Sequence, residues 1–283
     1  MVEYLWLILP VVGLGGPLAF WAFLVEPGRL VVTERSLETP LWPISHEPLR
    51  IALISDLHVG APHVGLKKLD QVVERVNGLD PDVVLIAGDF MVQRILFGKS
   101  VSPEAIAERL RALRARFGVV AVLGNHDWRH DGHHVSDALS EVGITVLENQ
   151  AHRLELPGGA LWIAGIADDT TREPDVEGTL AQVPETEPVI VLAHDPATFL
   201  DVPHGPVAVL AGHTHGGQVS FPFFGALYLP SRAPRHYAYG HIVEEGRNLF
   251  VTSGVGTSLL PVRFNMPPEV KLLTVSAAAA AAE

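Results

Sequence analysis

The chain has 283 residues, 48% of them hydrophobic, a formal charge of −12 and no cysteine. That length holds one large α/β domain or two small ones, with apolar residues enough for a sizeable core. The net negative charge disfavours nucleic acid as a partner, and the lack of cysteine excludes disulfides and thiolate zinc sites.

From Tyr4 to Val25 no side chain is charged, and about 20 apolar residues cross a bilayer as a helix. Only Glu3 precedes the run, with no Lys or Arg, which argues against a cleavable signal peptide. The run therefore predicts a membrane anchor over residues 1–26, with the bilayer as partner. Pro10, Gly13, Gly15, Gly16 and Pro17 would kink it or fold it into a shallow hairpin. A helix buried against the rest of the chain is the alternative. Arg29, Arg35 and Arg50 follow the run, which predicts a body on the cytoplasmic face of the membrane.

Residues 27–49 read as a Pro-rich connector, and residues 50–276 as the folded body. Its first strand is expected at 50–55. A helix follows at 66–77, where Leu69, Val72, Val73 and Val76 share one face. Strands at 82–87 and 119–123 flank a helix at 103–116, with Ser102 as its cap and Pro103 in its first turn. A third helix is expected at 134–142. Strands then predominate, at 145–147, 153–156, 161–164, 189–193, 207–211, 241–244, 249–252 and 270–275. A βαβ half followed by a strand-rich half predicts two stacked sheets with helices outside. The alanine-rich residues 277–283 are low complexity and carry no function.

Five short stretches carry metal-binding side chains: Asp56-Leu57-His58, Gly88-Asp89, Gly124-Asn125-His126-Asp127, Ala193-His194 and Gly212-His213-Thr214-His215. Four of them directly follow an apolar run that reads as a buried strand, so one sheet edge can gather them. Carboxylate, imidazole and amide donors suit manganese, iron or zinc, and two ions rather than one. Asp89 has two oxygens with which to bridge two cations, a pair that clamps a phosphoryl group. His213 and His215 can serve one ion each. Asn125 ligates without adding negative charge. His126 is then free to face substrate as a catalytic group, with Asp127 available to orient its ring.

These motifs, in this order, resemble the calcineurin-like metallophosphoesterases over residues 50 to about 276. Gly212-His213-Thr214-His215-Gly216-Gly217-Gln218, Ser253 to Ser258 and Pro261 to Asn265 are similar to the membrane-anchored YkuE/YaeI-type branch. The resemblance implies an α/β fold, a four-layer αββα sandwich with the metals at the strand edge. It implies one ion on Asp56, His58, Asp89 and His215, and a second on Asp89, Asn125, His194 and His213. His126 would act as general acid or stabilise the leaving oxygen.

The implied function is dinuclear metal-dependent phosphoester hydrolysis at the membrane, on a lipid-linked phosphodiester or pyrophosphate such as UDP-2,3-diacylglucosamine, a lipid A precursor. A general anchored phosphodiesterase is the alternative within that class, and a membrane-bound scaffold with structural metals the alternative outside it. His130, His133 and His134 either line the site or occupy a solvated loop. Asp168, Asp169 and Asp195 are candidates to support ligands. Arg232, Arg235 and Arg263 are candidates for substrate phosphate or for structural ion pairs. Residues 95–97 and 221–229 are apolar loops that form either core or an apolar rim.

Overall fold

The computed structural model describes residues 15–93 and 96–278. Two six-stranded sheets stack face to face. The first contains β1 (Val31–Thr39), β2 (Leu49–Ile54), β3 (Val83–Ala87), β4 (Val119–Val122), β5 (Thr145–Leu147) and, from the C-terminus, β14 (Glu269–Ala277). Their order is β1-β14-β2-β3-β4-β5. Strands β2 to β5 run parallel, whereas β14 enters antiparallel to β2.

The second sheet is built from β6 (Gln150–Leu156), β7 (Gly159–Gly165), β8 (Val189–Leu192), β9 (Ala208–Ala211), β12 (Gly240–Glu244) and β13 (Arg247–Val251), in the order β12-β13-β9-β8-β7-β6. A two-stranded hairpin, β10 (Ser220–Phe221) and β11 (Gly225–Ala226), stands apart.

Alternation along the strands assigns the layers, because successive side chains point to opposite faces. Ile51 and Leu53 face the second sheet, meeting Ile190, Leu192, Leu210 and Phe250. Ala52 and Ile54 face the other way, onto α1 (Leu66–Asn77), α2 (Pro103–Leu110) and α3 (Asn125–Glu141). Leu69, Val72, Val73 and Val76 of α1 are all buried there, as their spacing predicts. The outer face of the second sheet is covered more thinly, by α4 (Val176–Leu180) and 3-10 turns such as Pro196–Leu200.

Three boundaries differ from expectation. β1 lies in the stretch read as a connector, where its parallel pairing with β14 overrides the flanking prolines. α2 stops at Leu110 rather than 116, because the chain tightens into turns (Ala112 N–H to Arg109 O, Leu113 N–H to Leu110 O). α3 begins at Asn125, well before residue 134, and kinks at Asp131.

The expected membrane anchor and its cytoplasmic-face placement are corrected. Residues 4–14 of the apolar run lie outside the described residues. Residues 15–25 form a short helical segment ending in a π-helical turn, Trp21–Val25. Among the described residues no helix is long and apolar enough to cross a membrane. The end of the run is tied to the body instead. Arg263 N–H donates to Ala22 O (2.9 Å), Met266 N–H to Glu26 Oε1 (2.6 Å), and Trp21 Nε1–H to Glu26 Oε2 (2.7 Å).

Candidate metal centre

Strands β2, β3, β4, β8 and β9 are parallel-type core strands, and the chain leaving each carries one of the five motifs. The carboxyl ends of such strands form a natural crevice, and all seven candidate ligands converge there. Asp56, His58, Asp89, Asn125, His194, His213 and His215 are each at most 5% exposed.

Turning from strand to crevice within one or two residues forces unusual backbone. Asp56 (φ 51°), His58 (43°), Asp89 (59°), His213 (65°) and His215 (51°) all adopt the left-handed conformation. Non-glycine residues rarely do so, and the associated cost of about 1–3 kcal/mol per residue gathers at functional sites. At Gly124 the limit is space rather than φ: a Cβ there would come within 2.3 Å of Asp89 Oδ1 and 2.7 Å of the His194 ring.

The side chains form two clusters around one oxygen. Asp89 Oδ1 accepts the His126 N–H (2.8 Å), which leaves Oδ2 facing inward, 3.6 Å from His58 Nε2 and 3.3 Å from His194 Nε2. Of the two carboxylate oxygens, only Oδ2 therefore lies between the imidazoles of His58 and His194. On one side lie Asp56, His58 and His215, on the other Asp89, His194 and His213. Asn125 Oδ1 joins the second group, 3.3 Å from His194 Nε2.

Whether these groups fit cations is decided by where their lone pairs point. His194 donates Nδ1–H to Ala87 O (2.6 Å), and His213 donates Nε2–H to Pro230 O (2.9 Å). Those bonds leave His194 Nε2 and His213 Nδ1 as bare acceptors, 3.0 Å apart. His58 donates Nδ1–H to Met91 O (3.1 Å), and its Nε2 sits 3.1 Å from His215 Nε2. Asp56 Oδ1 is buried with no hydrogen-bond partner, while Oδ2 accepts from Ser55 Oγ–H and His213 N–H. The His194/His213 pair, acceptor facing acceptor in a buried site, requires positive charge between them. The donor set fits a pair of divalent cations, held by Asp56, His58 and His215 on one side, Asn125, His194 and His213 on the other, and Asp89 in common.

The titration behaviour agrees. Burial pushes the His58 imidazole down to about 3. Burial would raise the Asp89 carboxyl, yet the positive charge of His194, its hydrogen bond, and the charges of His126 and His58 hold it well below the ordinary range. His194 is held well above the imidazole range because Asp89, by charge and hydrogen bond, outweighs its burial. Without metal, the cluster thus gathers a proton on His194.

His126 stands beside the clusters, its ring edge-on to His58 at 4.6 Å. Gln93 N–H donates to its Nδ1 (3.3 Å), so the neutral ring carries its proton on Nε2. Asp127 does not orient that ring. Its buried carboxylate accepts Gly124 N–H (3.0 Å), Asp89 N–H (2.9 Å) and Met91 N–H (2.9 Å), stapling two ligand loops together at the third position of α3.

Among the other candidates, Arg232 pairs with Asp169 and Asp201, and Arg235 donates to the Ala226 carbonyl. Neither reaches the centre. His133 stacks edge-on to Trp128, and His134 pairs with Glu104 on the surface. Asp168 accepts from Thr170 N–H and Thr171 N–H. Asp195 does support a ligand: its Oδ2 lies 3.6 Å from His213 Nε2, and its Oδ1 accepts Ala197 N–H. Phe97, Phe223 and Phe224 are strongly exposed, so these side chains are surface and not core; Ile95 lies outside the described residues.

Arg263 is wholly buried and so meets no substrate. Its guanidinium donates to the carbonyls of Ser253 (2.8 Å), Gly254 (3.2 Å), Gly256 (2.5 Å) and Met266 (2.8 Å), and lies 3.5 Å from His215 Nδ1. The loop it organises pairs with the ligand strand, Val255 N–H to Ser55 O and Gly256 N–H to Asp56 O. A lysine cannot reproduce that planar fork. Arg263→Lys is expected to lower the melting temperature by several degrees, from carbonyls left unpaired at about 1–3 kcal/mol each, and to weaken metal binding measured by titration calorimetry; unchanged values on both counts would refute the clamp.

A model of the calcineurin-like phosphoesterase family matches residues 49–217. The chain belongs to that family. It is 31% identical over 264 residues to the uncharacterized metallophosphoesterase YkuE of Bacillus subtilis, covering 90% of this chain and 88% of that protein. It is 32% identical over 236 residues to the phosphodiesterase YaeI of Escherichia coli, covering 80% and 82%. A Helicobacter pylori metallophosphoesterase is 32% identical over 246 residues, where the match spans 83% of this chain and 62% of the relative. The chain is a metal-dependent phosphoesterase, and the calcineurin-like assignment accounts for the paired Asp/His clusters.

Proposed function

We propose that this phosphoesterase hydrolyses a phosphodiester or pyrophosphate one arm of which is apolar, UDP-2,3-diacylglucosamine being a substrate of that kind. The observation that carries the diester reading is the single inward oxygen of Asp89, set between two donor clusters with His126 Nε2–H beside them. The printed name of the YaeI relative, a phosphodiesterase, supports the same reading. The apolar arm is supported by Leu259, which is 68% exposed and borders the cavity at His126.

When bound, two divalent cations polarise the phosphoryl oxygens and make water nucleophilic near neutral pH. The rest is done by the chain. Asp56, Asp89, Asn125 and the imidazoles of His58, His194, His213 and His215 would hold the ions. Ala87 O, Met91 O and Pro230 O fix the tautomers that make three of those imidazoles ligands. His126 presents an N–H donor to the oxygen that departs as the P–O bond breaks.

The test is His126→Ala. The variant is expected to keep its full metal complement by elemental analysis while kcat on bis(p-nitrophenyl) phosphate falls about 10²–10⁴-fold. Loss of metal instead would make His126 a ligand. Enzyme that cleaves the chromogenic diester but releases no UMP from detergent-dispersed UDP-2,3-diacylglucosamine would rule out that lipid.

A further inference from the structure

A cavity of about 710 Å³ opens at His126. Lys99, Arg129, His130, Ser100 and Ser258 border it, and among the described residues no carboxylate does. In a chain of formal charge −12 this is a local reversal of sign. Arg111 and Arg172 are paired with Glu108 and Glu148. Lys99 and Arg129, by contrast, take part in no ion pair among the described residues.

Both cations are placed by backbone that also builds the centre. His126, Arg129 and His130 lie on α3 at positions i, i+3 and i+4, hence on one face. Lys99 N–H donates to Gly60 O (2.8 Å), and a Cβ on Gly60 would lie 2.0 Å from Lys99 O. The Lys99 main chain is therefore seated against the loop that follows His58. His126 belongs to both regions: its donor atom groups with those of His58 and Asp89, and its ring borders the cavity.

We infer that the cavity is a subsite for a second phosphate group, carried on the leaving arm of the substrate, with Lys99 and Arg129 as its recognition residues. The inference rests on the phosphodiesterase reading and names the substrate class within it: a pyrophosphate diester rather than a diester with uncharged arms. Guanidinium and ammonium donors suit phosphate oxygens. In hydrolysis of such a substrate, the water oxygen bonds to the attacked phosphorus and the bridging P–O bond breaks. Its electron pair leaves with the second phosphate, and the water's protons pass to product and solvent. A departing phosphate needs a hydrogen-bond donor more than a full proton, and His126 Nε2–H beside the cavity supplies one.

The experiment compares the full-length, Mn²⁺-loaded chain with its Lys99→Ala/Arg129→Ala variant on two probes, diadenosine pyrophosphate and bis(p-nitrophenyl) phosphate. The KM for the pyrophosphate relative to the KM for the chromogenic diester is expected to rise at least tenfold in the variant. Lys99→Arg/Arg129→Lys is expected to restore most of that ratio. A ratio unchanged by the alanine substitutions overturns the subsite, as does wild-type enzyme that cleaves the chromogenic diester but not the pyrophosphate. Wild-type enzyme inert on both probes overturns the phosphodiesterase reading itself.

Discussion

Asp89→Asn is expected to lower kcat/KM on a chromogenic diester by at least about 10³-fold, on the order of 4 kcal/mol of transition-state stabilisation, and to reduce bound metal from two ions per chain. The reason is the role of one atom. Asp89 Oδ1 is engaged by His126 N–H, so an asparagine would keep its carbonyl there and turn its NH₂ toward His58 Nε2 and His194 Nε2. An N–H donor would then occupy the position where the lone pairs demand a cation. A cooperative melt and a far-UV circular dichroism spectrum like those of wild type are expected to show that the variant is folded, which separates lost chemistry from lost folding. Elemental analysis showing two ions, with a wild-type rate, would contradict the shared-oxygen role.

Glu269→Ala is expected to cost about 3–5 kcal/mol, because it strands a buried cation, and so to lower the melting temperature by roughly 10 °C. Glu269 and Lys271 are each 1% exposed, and their charged atoms lie 3.2 Å apart. The same carboxylate accepts Ser253 N–H (3.0 Å), Thr33 Oγ–H (2.8 Å) and Tyr239 O–H (2.9 Å). One side chain thereby joins β1, β14 and the chain on either side of β12 and β13. Burial would raise the Glu269 carboxyl, but the charge of Lys271 and the bonds from Ser253 and Thr33 hold it below the ordinary range. A carboxyl depressed in the folded state stabilises fully above its unfolded pKa of about 4.3, and that contribution disappears as pH falls through the lower, folded value. Urea melts of wild type are therefore expected to weaken below about pH 4 more steeply than those of Glu269→Gln. Parallel pH profiles would show that the pair adds nothing.

The core strands and the motifs at their ends were readable from residues alone, since an apolar run ending in Gly-Asp or Ala-His shows both burial and a change of chemistry at a known position. Arg263 was readable only as a candidate. Its carbonyl partners are main-chain atoms of another loop, and main-chain atoms carry no residue signature. The start of α3 was hidden because Gly124-Asn125-His126-Asp127 has the composition of a loop, while Asp127 uses its carboxylate to close the first turn. The apolar run ending at Val25 satisfied a length rule for spanning, and its last residues are held instead by Glu26 and Arg263.

What the sequence determined by itself is therefore the inventory: which side chains can ligate, which strands deliver them, and which fold can bring such strands to one edge. Those are properties of residue type and local period, and they survive without coordinates. Only the tertiary structure decided that Asp89 turns a single oxygen inward, that Asp127 binds loops and not His126, and that Lys99 and Arg129 border one cavity. These depend on which lone pair faces which proton, a matter of ångströms between segments far apart in the chain, and local sequence does not encode such distances.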